Sequence, residues 1–407
     1  MSAMNVEPDD RTDLVPDPLV ADLTNLTWSV LGATVDCTDA DILGALYDAG
    51  LAWVHFGEGD GGLAIPQRYQ QTIDDLLLDV GGPLPDFSRN GVGLGMVAPT
   101  IAAHGTVEQR QRFLRPLYTG AELWCQLFSE PGAGSDLAAV GTRAVLDGNE
   151  WIVNGQKVWT SHAHHADWAI LLARTDPGVP KHAGITFFLC PMDAPGVEVR
   201  PLRQITGEAE FNEVFLDGVR IPDHYRLGEV GGGWPIAMTT LNNERVAIGG
   251  TAVPRESGLI GLLSQRWREQ PGARTSGMHE RLVSLWIESE VFRLAGERSR
   301  QLLAAGQPGP ESAALKLQFA RLAQSITGLE IEMAGESGLR YDDWTMRRST
   351  VADFTGRDVG YRYLRAKGNS IEGGTSEILR NVIAERVLGL PQEVRADKAV
   401  AWQDLPK

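Results

Sequence analysis

The chain has 407 residues, 43% of them hydrophobic and 22% charged, which suits a globular protein with a large core and two or three domains of ~150 residues each. Its formal net charge of −16 argues against nucleic acid as a partner, because phosphate backbones need a basic face, but not against a small polyanionic ligand held by backbone N–H groups. Cys37, Cys125 and Cys190 are too scattered for a disulfide framework or a zinc site, the acidic start is no signal peptide, and no apolar run reaches the ~18 residues of a membrane span, so the expected location is cytoplasmic.

Residues 17–122 read as a helical domain. Apolar residues recur at helical spacing over Asp39–Leu51, Pro66–Val80 and Met96–Leu123, the last interrupted near Gly105-Thr106 and at Pro116. Residues 123–232 change character. Arg143–Ser161 alternates, with hairpin dipeptides at Asp147-Gly148 and Asn154-Gly155. Short apolar runs follow at Trp168–Ala173, Ile185–Cys190, Val197–Leu202 and Glu213–Leu216, the spacing of a β-sandwich or barrel. Beyond the boundary at Gly231-Gly232-Gly233, residues 233–392 are helical again, with predicted helices over 236–263, 278–304, 311–337 and about 376–388. Thr375 or Ser376 can cap the last of these, and Gly389 and Pro391 end it. Residues 1–16 and 393–407 read as tails. The class is α+β, in the order helices, strands, helices.

Four segments can carry chemistry. Trp124–Asp136 (WCQLFSEPGAGSD) is a strand running into a Gly-rich loop whose N–H groups and hydroxyls can meet carbonyl or phosphate oxygens, although most such loops are plain turns. Val153–Ser161 (VNGQKVWTS) could be no more than a hairpin with a core tryptophan. Gly228–Trp234 leads into a helix carrying Leu241–Arg245 (LNNER), where an isolated Glu-Arg pair is usually solvated. Ile371–Glu377 (IEGGTSE) is a Gly-rich turn at a helix start, favourable for anionic or carbonyl ligands.

In this order, from about residue 20 to 392, the four segments resemble the FAD-dependent acyl-CoA dehydrogenase family, with the SEPGAGSD and GGTSEI strings specific together. The resemblance implies an N-terminal helical domain, a central β-barrel or sandwich and a C-terminal four-helix bundle. It also implies FAD between the last two, with part of its site supplied by a neighbouring subunit. Carried over by position, Phe128 and Ser129 contact the flavin ring, Gly134 and Ser135 lie where flavin and coenzyme A meet, and Ser135 and Arg245 serve the substrate. Trp159 shields the flavin, Ser161 bonds near its N5, and Thr375 and Glu377 approach the adenosine half of FAD. Gln126 and Ser161 stand where an aromatic residue and a threonine are more usual.

The implied reaction removes a proton from Cα while a hydride leaves Cβ for flavin N5, giving a trans-2-enoyl-CoA and passing electrons to an electron-transfer flavoprotein. The family places its base either directly before the Gly-Thr of the last loop, which here is Gly373, or before an arginine on the first bundle helix, where Glu244 precedes Arg245. Glu244 is therefore the expected base and Glu372, one residue early in a tight turn, the runner-up. The Gly373 N–H then becomes the oxyanion donor.

The usual Arg-x-x-Phe-Gly is replaced by the Gly272–His279 stretch (GARTSGMH), and the usual Gly-Gly-x-Gly by Gly335–Gly338 (GESG). Both changes fall on the part of the FAD site that a neighbour supplies. The expected assembly is a homo- or hetero-oligomer, with a dimer of dimers as its form. The alternatives are one subunit of a heteromeric dehydrogenase inactive alone, a non-catalytic acyl-CoA-binding paralogue, or an acyl-CoA oxidase. His162, His164 and His165 fit a loop near the flavin edge or acyl entrance better than a metal site. The small residues Ala247, Gly249, Gly250 and Ala252 would permit a roomy acyl pocket.

Overall fold

A computed structural model describes residues 17–249, 254–304, 312–341, 343–349, 357–395 and 397–406. The chain divides into two compact units, one ending at Pro85 and one starting at Asp86. In the first, helices α1 (Pro18–Ala33), α2 (Asp39–Asp48) and α3 (Gln70–Asp79) bury Leu23, Leu43, Leu46, Ile73 and Leu77. Each apolar side chain sits on the inner stripe of its helix. Asp17 caps α1 and also accepts the Tyr69 hydroxyl at 2.5 Å. Thr38 and Asp41 form a reciprocal capping box on α2.

The second unit opens with α4 (Phe87–Val92), α5 (Ala98–His104) and α6 (Val107–Thr119), with a wide π turn over Gly93–Val97 joining the first two. Pro116 does not interrupt α6, which runs through it to a left-handed Gly120. The interruption at Gly105-Thr106 is real, because Thr106 caps α6.

Eight strands follow: β1 (Trp124–Leu127), β2 (Arg143–Asp147), β3 (Glu150–Ser161), β4 (Trp168–Arg174), β5 (Ile185–Pro191), β6 (Val197–Pro201), β7 (Phe211–Pro222) and β8 (Arg226–Leu227). They form one mixed sheet in the order β6-β7-β3-β2-β4-β5-β8, with β1 parallel to β4. The sheet is open, so it is not the closed barrel that the strand spacing allowed. Between β2 and β4 it is joined only at Arg143↔Arg174, and the strands on both sides of this seam share one core that includes Leu127, Val153, Leu171, Phe188, Val214 and Ile221.

Asp147-Gly148 is the expected hairpin turn, with Gly148 at φ 65°. Asn154-Gly155 is not a turn. Strand β3 continues through it with a register shift against β7, and a Cβ on Gly155 would lie 2.3 Å from Thr142 Oγ1. The glycine is there for the close approach of Thr142, just before β2.

The predicted helix 236–263 is two helices, α7 (Gly233–Gly249) and α8 (Gly258–Glu269), and Pro254, which cannot donate a backbone hydrogen bond, lies before α8. Then come α9 (Ser276–Ala304), α10 (Ser312–Ala334), α11 (Val359–Ala366) and α12 (Ser376–Val382). Helix α10 packs on α7, α8, α9, α11 and α12, and Leu263, Leu282, Leu285, Leu322, Ile326 and Leu329 form the centre of this bundle. Gly233 starts α7 against β5, where a Cβ would lie 2.8 Å from the Phe187 nitrogen. Residues 397–406, read from the sequence as part of a tail, instead dock on the strand region.

Candidate active site

The Gly-rich loop after β1 is held from below by two buried cations. Lys157 Nζ, fully buried, lies 2.7 Å from Glu130 Oε1 and donates to the carbonyls of Phe128 at 3.0 Å and Leu172 at 2.8 Å. Glu130 also accepts the N–H groups of Gly141 (2.7 Å) and Thr142 (2.9 Å), closing the loop on itself. Burial pushes the Glu130 carboxyl up, but the Lys157 charge and these hydrogen bonds outweigh it and leave the group below its ordinary range. For Lys157 the balance is reversed: burial outweighs the pair and lowers the ammonium. Arg174, at the end of β4, donates to the carbonyls of Val140 (2.9 Å), Lys181 (3.0 Å) and Ala138 (2.7 Å). Burial lowers its guanidinium to about 10.

Above this frame the loop is open. Gly132, Gly134, Ser135 and Asp136 are exposed, and a Cβ added at Gly132 or Gly134 would meet nothing within 4 Å. Phe128 is buried and packs edge-on to Phe187 at 5.7 Å, so only its backbone is available for a cofactor.

The second segment lies beside the first, because the Val158 N–H donates to the Ser129 carbonyl at 2.9 Å. The next residue, Trp159, sits at φ 61° with its indole 58% exposed and edge-on to Phe211 at 5.8 Å. A left-handed tryptophan at a register shift, presenting a bare ring, is the kind of strained position that clusters at ligand sites. Ser161 pairs with Phe211, and the buried Thr160 hydroxyl has no partner.

The fourth segment is tied to the second through Arg365. This buried guanidinium lies 2.9 Å from Glu372 Oε2 and 3.5 Å from Glu210 Oε1, and the Glu210 carbonyl accepts the His162 N–H at 2.8 Å. Asn369 donates to Glu372 Oε1 at 2.6 Å. Gly373 and Gly374 have φ of 62° and 96°, conformations that favour glycine. Buried Lys316 of α10 holds the Gly374 carbonyl at 2.7 Å. Thr375, not Ser376, caps α12 by accepting the Ile378 N–H. Glu377 is exposed and pairs with Arg380 at 3.3 Å.

The structure thus links the first, second and fourth segments. The third is represented by α7, whose start touches β5 beside the Phe128–Phe187 contact. Glu244 and Arg245 belong to α7 by their backbones, but their side chains lie outside the described residues, as do the side chain of Ala247 and all of Gly250 and Ala252; Gly249 is the last residue of α7. The three histidines pack together, with ring centroids 4.7–6.3 Å apart. Burial lowers all three, His165 to about 4. Among the described residues no group of three or more His, Cys, Asp or Glu is arranged to hold a metal.

Sequence reasoning missed Lys157, Arg174, Lys316 and Arg365. Arg174 had a signal, a lone charge closing an otherwise apolar run (WAILLAR).

Two family models match the chain, acyl-CoA dehydrogenase middle domain over residues 125–219 and acyl-CoA dehydrogenase C-terminal domain over 231–388. The chain is 40% identical to acyl-CoA dehydrogenase IpdE1 of Mycobacterium tuberculosis, over 85% of this chain and 86% of that protein. The chain belongs to the acyl-CoA dehydrogenase family. It is also 42% identical, over 86% of its own length, to acyl-CoA dehydrogenase FadE34 of the same organism, and it spans 46% of that protein's length. Among solved structures, a variant of the Tcur3481-Tcur3483 steroid ACAD matches with a TM-score of 0.68 and 25% identity, covering 93% of this chain and 100% of that one.

As an acyl-CoA dehydrogenase the protein is an oxidoreductase acting on acyl-CoA, and FAD is its cofactor. The residues fit that group. An exposed indole beside an open Gly-rich loop, with an unpartnered buried hydroxyl between Trp159 and Ser161, suits a planar ring with polar edges. No helix among the described residues is long and apolar enough to cross a membrane.

Proposed function

We propose that this acyl-CoA dehydrogenase oxidises its thioester at Cα and Cβ to the trans-2-enoyl-CoA with Glu244 as the base. Bound FAD supplies the two-electron acceptor. Glu244 takes the α-proton, and the Gly373 N–H donates to the thioester oxygen as negative charge builds there. Ser135 and Arg245 hold the coenzyme A thioester. Phe128 through its backbone, with Ser129, Gly134, Trp159, Ser161, Thr375 and Glu377, holds the cofactor. The electrons pass on to an electron-transfer flavoprotein.

One observation favours Glu244 over Glu372: the Glu372 carboxylate is already engaged by Arg365 at 2.9 Å and Asn369 at 2.6 Å. A carboxylate clamped between a guanidinium and an amide is fixed in place, which suits a structural tie better than proton transfer. For the acyl group we favour a steroid-linked chain, on the strength of the 25% identical neighbour named a steroid ACAD.

The test is an anaerobic absorption spectrum of the purified holoenzyme titrated with straight-chain, branched and steroid-linked acyl-CoA thioesters. Flavin bands should bleach with the steroid-linked thioester and fail to bleach in Glu244→Gln. Bleaching that survives in Glu244→Gln would refute that assignment of the base.

A second reading, that the chain is one subunit of a heteromeric enzyme, has its own observation. Arg274, in the stretch that replaces Arg-x-x-Phe-Gly, donates to the Trp267 and Arg268 carbonyls at 2.7 and 2.9 Å. It caps the end of α8 within its own chain. A yellow, active homo-oligomer from this chain alone would exclude that reading.

A further inference from the structure

We propose that Asp397–Leu405 is a clasp that positions the Gly-rich loop for coenzyme A, with Trp402 and Asp397 as its positioning residues; this rests on the reading above that Gly134 and Ser135 meet the coenzyme.

The clasp is built from several contacts of different kinds. Two backbone hydrogen bonds, from the Trp402 N–H to the Val179 carbonyl at 2.9 Å and from the Gln403 N–H to the Pro177 carbonyl at 3.0 Å, lay the segment along the loop between β4 and β5. An isolated β-bridge joins Ala401 to Pro180. The Trp402 indole N–H donates to the Ala139 carbonyl at 3.1 Å, and its ring lies over the Arg174 guanidinium at 4.5 Å and beside Gly141. Trp402 therefore covers the same buried cation that holds the carbonyls of Ala138 and Val140.

Lys181 completes the clasp. Its buried ammonium lies 2.7 Å from Asp397 and 2.7 Å from Asp136, the residue that follows Ser135. Burial works against the charge, but the hydrogen bonds to Asp136 and Asp397 outweigh it and raise the group above its ordinary range. One cation shared between the clasp and the last residue of the SEPGAGSD string thus fixes the end of a loop whose middle is open to solvent. Lys157, Glu130 and Arg174 hold the two ends of that loop, and the clasp adds hold at Asp136 and Ala139. A loop loosened at Asp136 and Ala139 would spend part of its time away from the geometry that receives the ligand, and affinity would fall by that fraction.

The experiment uses full-length holoenzyme and measures calorimetric affinity for free coenzyme A, the flavin spectrum and amide hydrogen exchange across 130–142. Trp402→Ala and Asp397→Asn should speed exchange in that stretch. Each should weaken coenzyme A binding about tenfold, the scale of one lost hydrogen bond, and the flavin spectrum reads whether the cofactor contact of Gly134 loosens with it. Trp402→Phe, which keeps a ring over Arg174, should recover most of the affinity. Unchanged exchange in Trp402→Ala, or full coenzyme A affinity in both variants, would overturn the clasp. Ser135→Ala separates the two ideas. If it weakens coenzyme A binding and the clasp variants do not, the clasp is wrong and the loop reading stands. If none of the variants weakens binding, the loop reading has failed and the clasp with it.

Discussion

The Lys157 ammonium, fully buried between strands, lies 2.7 Å from the Glu130 carboxylate at the root of the Gly-rich loop. Neither partner reaches bulk water easily, so removing one strands the other. Lys157→Met should destabilise the protein by ~3–5 kcal/mol, the usual cost of an uncompensated buried charge. The double variant Lys157→Met with Glu130→Gln should recover part of that loss, because no unpaired charge remains. Urea unfolding of the two single variants and the double variant measures the coupling.

The same pair sets a pH dependence. Glu130 is held below its ordinary value of 4.5 in the folded protein. It therefore contributes stability that is fully present above that value and is lost as pH falls through the lower folded value. Wild type and Glu130→Gln should differ most near neutrality and converge in acid. Chemical unfolding at a series of pH values from neutral to strongly acid tests this. A gap that widens in acid would contradict the sign.

Gly233 is a place where backbone packing sets the chemistry. A Cβ there would lie 2.8 Å from the Phe187 nitrogen and 2.9 Å from the Ile185 carbonyl oxygen, all backbone atoms that cannot swing aside. Gly233→Ala must push the start of α7 off β5, at a cost of ~1–3 kcal/mol for overpacking. Because Glu244 lies on that helix, kcat should fall as well, by up to about 100-fold for a displacement near 1 Å. Gly132→Ala, where a Cβ meets nothing within 4 Å, is the control for stability.

How far these features could be read in advance depended on how local their causes are. The Asp147-Gly148 turn and a cap at Thr375 or Ser376 were legible because each is settled by a few adjacent residues. Asn154-Gly155 has the same dipeptide logic but the opposite outcome. What decides it is the approach of Thr142, the residue before β2, which no short window around Asn154 contains. The split of 236–263 carried its signal in Pro254. The candidate site divides in the same way. The exposed loop residues and Trp159 lie within recognisable strings; Lys157 shares the string of Trp159, but it, Arg174, Lys316 and Arg365 act on segments 27, 34, 58 and 7 residues away. Arg365 looks local, yet its second partner, Glu210, comes from the strand region.

Trp159 separates cofactor binding from folding. Its side chain is 58% exposed and its backbone is left-handed, so the protein derives little packing from the indole. Trp159→Ala should change stability by no more than ~1 kcal/mol, the range of exposed substitutions plus a modest backbone effect. Flavin affinity should fall far more than that. A thermal melt of the flavin-free protein and a flavin titration of both forms make the comparison. A large loss of stability without loss of flavin would mean that the ring serves the fold.

The two candidate bases make opposite predictions. Glu372 is half-buried and bonded to Arg365 and Asn369, so Glu372→Gln removes an ion pair from Arg365, whose other carboxylate neighbour, Glu210, lies at 3.5 Å. Thermal stability should drop by ~1–3 kcal/mol, the penalty for weakening a buried charge-assisted bond. The rate should fall less than about tenfold, because the carboxylate only steadies the Gly373-Gly374 turn and no proton passes through it. Glu244→Gln should do the reverse, with stability little changed and kcat down ~10²–10⁴-fold, the usual contribution of a general base. Stopped-flow flavin reduction alongside a melt of each variant gives both readings. Should Glu372→Gln be the variant that abolishes flavin reduction, the base belongs to the last loop. The ion pair with Arg365 would then have to open when the thioester binds.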